Sequence, residues 1–366
     1  MKLRLLADDL TGALDSAIQF LPLAGRLPVM WSEDTPLPAE DSLALDAGTR
    51  ELSPAEVEAR TRRLAYRMRD ADLGYLKLDS LLRGCPAEAI RACREAAGFD
   101  HAIIAPAFPA QSRITRGGRQ MWRPAGEGAF QIVGPELASL LATQGCAVSV
   151  MPPGAAAPHG VSLWNAETGE DLSRVVSAGR ALPGRVLWCG TAGLAASLAG
   201  SPPPVEHGIR SPLLALFGTD HPVSLGQLRN AASWHLPLGD AGPELREAIV
   251  RRLEHDRALI ITASLPPQIG RGAAAERISA LFGEILKNLG APGTLFVCGG
   301  ETLRSVCSFL GARALEATAE FAPGIPRSRL LGGAWDGVEV ISKSGAFGAP
   351  DLLAEIITLS RADALA

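Results

Sequence analysis

Two adjacent carboxylates, Asp8 and Asp9, stand between the apolar run Leu3–Ala7 and a segment in which Leu14, Ala17, Ile18 and Leu21 recur at one-face helical spacing. A short apolar run reads as a buried strand, so the pair is expected at a strand's carboxyl end, where a helix begins. Ligands of open α/β sheets bind outside that edge. Carboxylates there can take a proton from a hydroxyl or hold a cation. Thr11 and Gly12 allow a tight turn, and their N–H groups could face an anion. Either Asp9 or Thr11 could cap the helix, but one cap satisfies a turn and two consecutive Asp exceed it.

A second cluster, Lys77-Leu78-Asp79-Ser80-Leu81-Leu82-Arg83-Gly84, closes the apolar segment Gly74–Leu78. Lys77 and Asp79 share a face if the strand continues that far. A lysine, a carboxylate and an arginine so close together suit an acidic, polyhydroxylated molecule. The plainer reading is a solvated salt bridge, which the position at a strand end disfavours. Arg50 ends a third cluster, Asp46-Ala47-Gly48-Thr49-Arg50, after the apolar run Ser42–Leu45. Pro106–Arg119 reads as a long loop carrying Arg113, Arg116, Arg119 and the pair Gly117-Gly118. Arginines in such a loop suit bidentate binding of carboxylate or phosphate.

Further along, Gly299-Gly300-Glu301-Thr302 separates the run Thr294–Cys298 from a helix pattern with Leu303, Val306 and Leu310 on one face. Two glycines permit close backbone approach, and a helix N-terminus adds donors and the positive end of its dipole. This is a phosphate cradle in outline, though not a Walker loop, since no lysine follows the glycines. Lys343, beside Ser344-Gly345 after the run Val338–Ile341, could hold a phosphate.

These side chains must be carried by a frame. Four or five strands of the first half end in small or polar clusters at helix starts, and the alternation resumes at Leu213–Phe217. Between them Gly200-Ser201-Pro202-Pro203-Pro204 is the clearest linker. The expected fold class is α/β, with two doubly wound Rossmann-like domains, residues 1–205 and 206–366, and a cleft between them. A chain of 366 residues that is 47% hydrophobic supports two cores. The net charge of -4 argues against a general nucleic-acid binder. Six cysteines without zinc-ligand or redox spacing are expected to be buried small hydrophobes in a reducing compartment. No apolar run approaches the roughly 18 residues of a membrane span, and no signal peptide is expected before the first strand. The chain is therefore expected to be cytoplasmic, with no nucleic-acid or membrane partner.

Taken together, the ordered motifs Ala7-Asp8-Asp9-Leu10-Thr11-Gly12-Ala13, Lys77–Gly84, Ala105-Pro106-Ala107-Phe108-Pro109, Gly299–Thr302 and Lys343-Ser344-Gly345-Ala346-Phe347-Gly348 resemble the four-carbon acid sugar kinase family over nearly the whole chain. The resemblance implies ATP-dependent phosphorylation of a terminal hydroxyl on threonate, erythronate or a 3-oxo-tetronate. It implies an amino-terminal sugar-acid domain and a carboxy-terminal nucleotide domain, with a homodimer allowed. On this reading Arg50, Lys77, Ser80 and Arg83 hold the sugar acid, with Arg113 or Arg116 assisting. One of Asp8, Asp9 and Asp79 orients or deprotonates the attacking hydroxyl, and the others could hold Mg²⁺ directly or through water. Thr219, His221, Gly299, Gly300, Glu301, Thr302, Lys343 and Gly345 hold ATP. Thr219-Asp220-His221 replaces a run of small residues common in the family. That motivates the alternative of a non-catalytic sugar-acid sensor with a degenerate nucleotide site.

Overall fold

The computed structural model describes residues 1–31, 42–124, 128–239, 243–266, 268–287 and 289–364. The chain folds as two compact units, Met1–Pro203 and Pro204–Ala366.

The first unit begins with β1 (Leu3–Ala7), β2 (Leu27–Met30), β3 (Leu43–Asp46), β4 (Leu73–Lys77) and β5 (His101–Ala105). A small antiparallel sheet follows, made of β6 (Arg113–Arg116), β7 (Arg119–Trp122) and β8 (Gln131–Ile132). The unit closes with β9 (Val148–Met151), β10 (Val161–Trp164) and β11 (Val186–Gly190). Its main sheet runs β2-β3-β1-β4-β11-β5-β10-β9, and the neighbours pair in parallel. Parallel sheets are covered on both faces, so their strands are apolar without alternation. β1, β4 and β5 are buried at every residue. The order reverses on either side of β1, and such switch points open a crevice at the strands' carboxyl ends.

The second unit holds β12 (Leu213–Phe217), β13 (His235–Leu238), β14 (Ala258–Ala263), β15 (Thr294–Cys298), β16 (Ala314–Ala322), β17 (Ile325–Leu331) and β18 (Glu339–Lys343). Its order is β13-β14-β12-β15-β18-β17-β16. The strands from β13 to β18 are parallel, and β17 and β16 are antiparallel additions. Its core places Phe217 stacked on Phe296, with Leu352, Leu353, Ile356 and Ile357 of the helix Leu352–Asp363 in the same cluster. Among the described residues no helix is long and apolar enough to cross a membrane.

Two expectations are corrected and one strand is added. The expected loop Pro106–Arg119 is a short 3₁₀ turn and then the hairpin β6–β7, whose turn residues Gly117 and Gly118 both have positive φ. That pair of left-handed residues matches the right-handed twist of a hairpin. From Ala317 the sequence reads as short strands and turns, whereas the structure forms the long β16–β17 hairpin, reversed at Gly324 with φ 77. β13 went unanticipated because Pro237 interrupts its pattern. As an edge strand it needs no ladder donor there.

Candidate functional site

Asp8 and Asp9 follow β1 directly. Asp9 is the N-cap of the helix Leu10–Gln19, and its carboxylate accepts from the Gly12 N–H (2.9 Å) and the Thr11 hydroxyl (2.8 Å). The capping role is therefore real, but it is only part of the arrangement. Arg50 arrives from the end of β3, where the Asp46 carboxylate accepts the N–H of Gly48, a residue with φ 58. The Arg50 guanidinium lies between both carboxylates. Its Nε and Nη2 donate to Asp8 at 2.7 and 2.8 Å, and its Nη1 and Nη2 donate to Asp9 at 2.7 and 2.9 Å.

β4 ends at Lys77, so Asp79 lies in the loop beyond it and not on the strand. The Asp79 carboxylate accepts the backbone N–H groups of Leu81 and Arg83 and the Arg83 side chain at 2.7–3.1 Å. Arg50 Nη2 stands 3.5 Å away. Lys77 is buried, and its ammonium donates to the Leu78 carbonyl. A methyl group added at Gly12 would lie 3.0 Å from that ammonium nitrogen and 2.5 Å from Asp9 Oδ1. Glycine is therefore what lets the lysine approach the helix start. Asp8, Arg50, Lys77, Asp79 and Arg83 line one pocket, together with Thr49 and Cys85.

The three carboxylates differ electrostatically. Burial raises the Asp8 carboxyl above its ordinary range, with the Asp9 charge adding to the effect, despite the opposing attraction of Arg50. Burial acts on Asp9 too, but Arg50, Lys77 and the Thr11 hydroxyl outweigh it, and its carboxyl is lowered. Asp79 is held well below the carboxylate range, because Arg50 and the bonds from Arg83 overcome its burial. Asp9 and Asp79 are saturated with donors, whereas among the described residues Asp8 accepts only from Arg50.

Arg113 is buried, with Asp79 and Arg83 near enough to act on its charge, and burial pushes its guanidinium down to about 10. Arg116 belongs elsewhere. It is exposed and paired with Glu167 at 2.6 Å on the surface, so the structure does not bring it to the carboxylates. Gln120, which the sequence reading passed over, is buried and ties the hairpin to the loop. It donates to the Ser80 and Pro106 carbonyls and accepts from Thr115.

In the second unit β12, β15 and β18 are neighbours, and their carboxyl ends gather the residues singled out there. Gly218 N–H donates to the Cys298 carbonyl, and Gly299 N–H donates to the Lys343 carbonyl. Gly299, with φ 112, starts the helix Gly300–Phe309. Thr302 is buried under Gly218, and Glu301 is exposed. A Cβ on Gly345 would fall 2.5 Å from Thr219 Oγ1 and 3.0 Å from His221 Cβ, so these loops pack backbone to side chain. Lys343 requires a correction. It is fully buried, and its ammonium donates to Ser224 Oγ and to the carbonyls of Ser344 and Phe347 at 2.8–3.2 Å. An ammonium has three donors, so none is left for direct contact with a phosphate. Ser224 and Gln227 went unread. Their signal was two polar residues three apart on the buried face of the helix Pro222–Asn230.

The fold and the two loop clusters define a two-unit α/β protein with a charged pocket in one unit and a glycine-lined cradle in the other. Residues 3–132 match the family model described as a sugar-binding N-terminal domain, and residues 238–353 match the nucleotide-binding C-terminal domain. D-threonate kinase of Cupriavidus necator is 30% identical across 94% of both chains. The enzyme of the same name from Bordetella bronchiseptica is 30% identical across 95% of both. The chain belongs to the four-carbon acid sugar kinase family. Among solved structures, a Salmonella typhimurium LT2 protein superposes with a TM-score of 0.77 at 19% identity, over 97% of this chain and 98% of that one. A Haemophilus influenzae protein superposes with a TM-score of 0.69 at 18% identity, over 98% of this chain and 99% of that one. At these identities the likeness concerns the fold alone.

Proposed function

We propose that this protein is an ATP-dependent kinase that phosphorylates a terminal hydroxyl of a four-carbon sugar acid, with threonate, erythronate and the 3-oxo-tetronates as the candidate substrates. Relatives named D-threonate kinase, matched over nearly their full length, support the class. The observation that carries the mechanism is the inequality among the three aspartates. Asp8 alone combines a raised carboxyl with oxygen lone pairs not taken up by several donors.

Phosphoryl transfer asks a protein for positioning and charge neutralisation more than for covalent chemistry. In this reading Asp8 accepts the proton of the attacking hydroxyl. Asp9 and Asp79 act as scaffolds, one capping a helix and the other closing the Leu81–Arg83 turn. Arg50 positions Asp8 against Asp9, which leaves one N–H of its five for a ligand. Lys77, Ser80, Arg83 and Arg113 then receive the sugar carboxylate and hydroxyls. Gly299–Thr302 and Gly345, with Thr219 and His221 beside them, would hold the nucleotide, the helix N-terminus serving its phosphates. Bound ATP supplies the phosphoryl group, and its Mg²⁺ offsets the phosphate charge. Among the described residues no group of three or more His, Cys, Asp and Glu could hold a metal, and the carboxylates of the pocket already face Arg50 and Arg83. The cation fits best as one carried in on the phosphates with water completing its shell.

The test is a panel of four-carbon sugar acids incubated with purified protein, ATP and Mg²⁺, with the phosphorylated acid identified by mass. Turnover of at least one tetronate is expected. Tight tetronate binding with no turnover on any member would favour the sensor.

A further inference from the structure

Lys343 is a buried cation whose surroundings do not neutralise it. It sits at the end of β18 with no exposed surface. Its partners are a hydroxyl and two carbonyls, and the Phe217 ring lies 6.0 Å away. Among the described residues no carboxylate contacts it. Among the described residues the titratable group acting on it is the Cys298 thiol on β15, which shares Ser224 with it and favours its charged form; His221 packs against the turn at Gly345. A buried charge is costly unless a counter-charge is supplied, and here, among the described residues, the fold supplies dipoles and one thiol but no carboxylate.

The same contacts make the ammonium the base of a turn. Ser224 Oγ, which accepts from Lys343, donates to the Gly345 carbonyl at 2.7 Å. Gln227 donates to the carbonyls of Phe347 and Ala349. The turn 344–347 is thus fastened from below, and its other side packs on Thr219 and His221. The Lys343 carbonyl meanwhile accepts from Gly299, the N-cap of the glycine cradle.

We propose that Lys343 is a positioning residue and the buried counter-charge of the phosphate chain held at Gly299–Thr302 and Gly345, acting through the turn without touching the ligand. The inference rests on the nucleotide reading given above. Burial lowers the proton affinity of the free protein's lysine. An anion above it favours the charged form, so nucleotide binding should draw in a proton once the pH is high enough to discharge the lysine.

Calorimetry of ADP with Mg²⁺ tests this on the whole chain, between about pH 7.5 and 9.5 and so above the ordinary histidine range. In buffers of different ionisation enthalpy, wild-type protein should take up protons on binding at the alkaline end, and affinity should fall as the pH rises. Lys343→Met should bind about tenfold more weakly, a change of roughly 1.4 kcal/mol, with the proton uptake gone. Lys343→Arg keeps its charge throughout, so it should retain affinity while losing the pH slope. Cys298→Ala should keep the wild-type slope. Wild-type binding without proton uptake overturns the proposal whatever the variants do. So does a slope that survives in Lys343→Met or vanishes in Cys298→Ala. Gly300→Val separates the two readings, since a side chain on the first residue of the helix would block close approach of the phosphates. If it binds ADP normally, the nucleotide site itself is wrong and this inference falls with it. If it loses ADP while Lys343→Met behaves as wild type, this inference alone falls.

Discussion

Asp8, Asp9 and Asp79 share a charge and the neighbouring Arg50 guanidinium, yet their hydrogen bonds assign them different work, so their amide variants should differ in kind. Asp8→Asn should lower kcat by about 10²–10⁴-fold, the range for a lost general base, with the melting temperature nearly unchanged. Asp9→Asn should chiefly cost stability, about 1 kcal/mol as for a weakened N-cap, because four donors converge on that carboxylate. Denaturant titration and initial rates on the same preparations separate them, and a wild-type kcat in Asp8→Asn would move the base elsewhere. The pH profile carries the same distinction. A base works only when deprotonated, so kcat/KM should fall on the acid side through the raised Asp8 value, above the ordinary carboxylate pKa of about 3.9. Asp79 runs the other way. Its folded carboxyl is depressed, so its stabilisation is present above the unfolded value and lost only as the pH falls through the folded one. Acid unfolding of Asp79→Asn should therefore lack that contribution. Arg83, whose side chain is 49% exposed, should matter to binding more than to folding. Arg83→Met is expected to raise the sugar-acid KM about tenfold, the low end for a charged hydrogen bond, with a small change in kcat.

At the scale of elements, the β1-to-helix junction works because a glycine occupies its first turn. Helix propensity alone says that Gly12→Ala should stabilise by up to about 1 kcal/mol. The new methyl, however, would stand 2.5 Å from Asp9 Oδ1 and 3.0 Å from Lys77 Nζ. The expected outcome is destabilisation of about 1–3 kcal/mol, as for overpacking, with a fall in kcat/KM as Lys77 is displaced. Unfolding curves and steady-state kinetics decide between propensity and packing. The strands and helices around this junction were readable from apolar runs and one-face spacing, which are local signals. The β6–β7 hairpin was not, since Arg113, Arg116 and Arg119 mask its alternation. What fixes it is Gln120, whose amide reaches the Ser80 and Pro106 carbonyls across the fold.

At the scale of the molecule, Met1–Pro203 and Pro204–Ala366 each bury their own core. Each should answer to its own ligand. In scanning calorimetry, a tetronate at about 100 times its Kd should stabilise the first unit by roughly 2.7 kcal/mol. ADP should do the same for the second. Two shifts on one and the same transition would mean that the units unfold as one. Single-unit chains carrying residues 1–203 and 204–366 would show which transition belongs to which.

The sequence by itself determined the α/β alternation, the strand ends at Ala7 and Cys298, and the polar residues that cluster after the strands. Those are properties of short windows, where period and composition speak directly. Only the tertiary structure decided which of those residues are available. Arg50, some forty residues away in sequence, neutralises Asp8 and Asp9. Arg116 is drawn off to Glu167, and Lys343 spends its donors beneath a turn. The reason is saturation. A polar group's chemistry depends on the donors and acceptors it has left, and those are counted only after distant segments have packed.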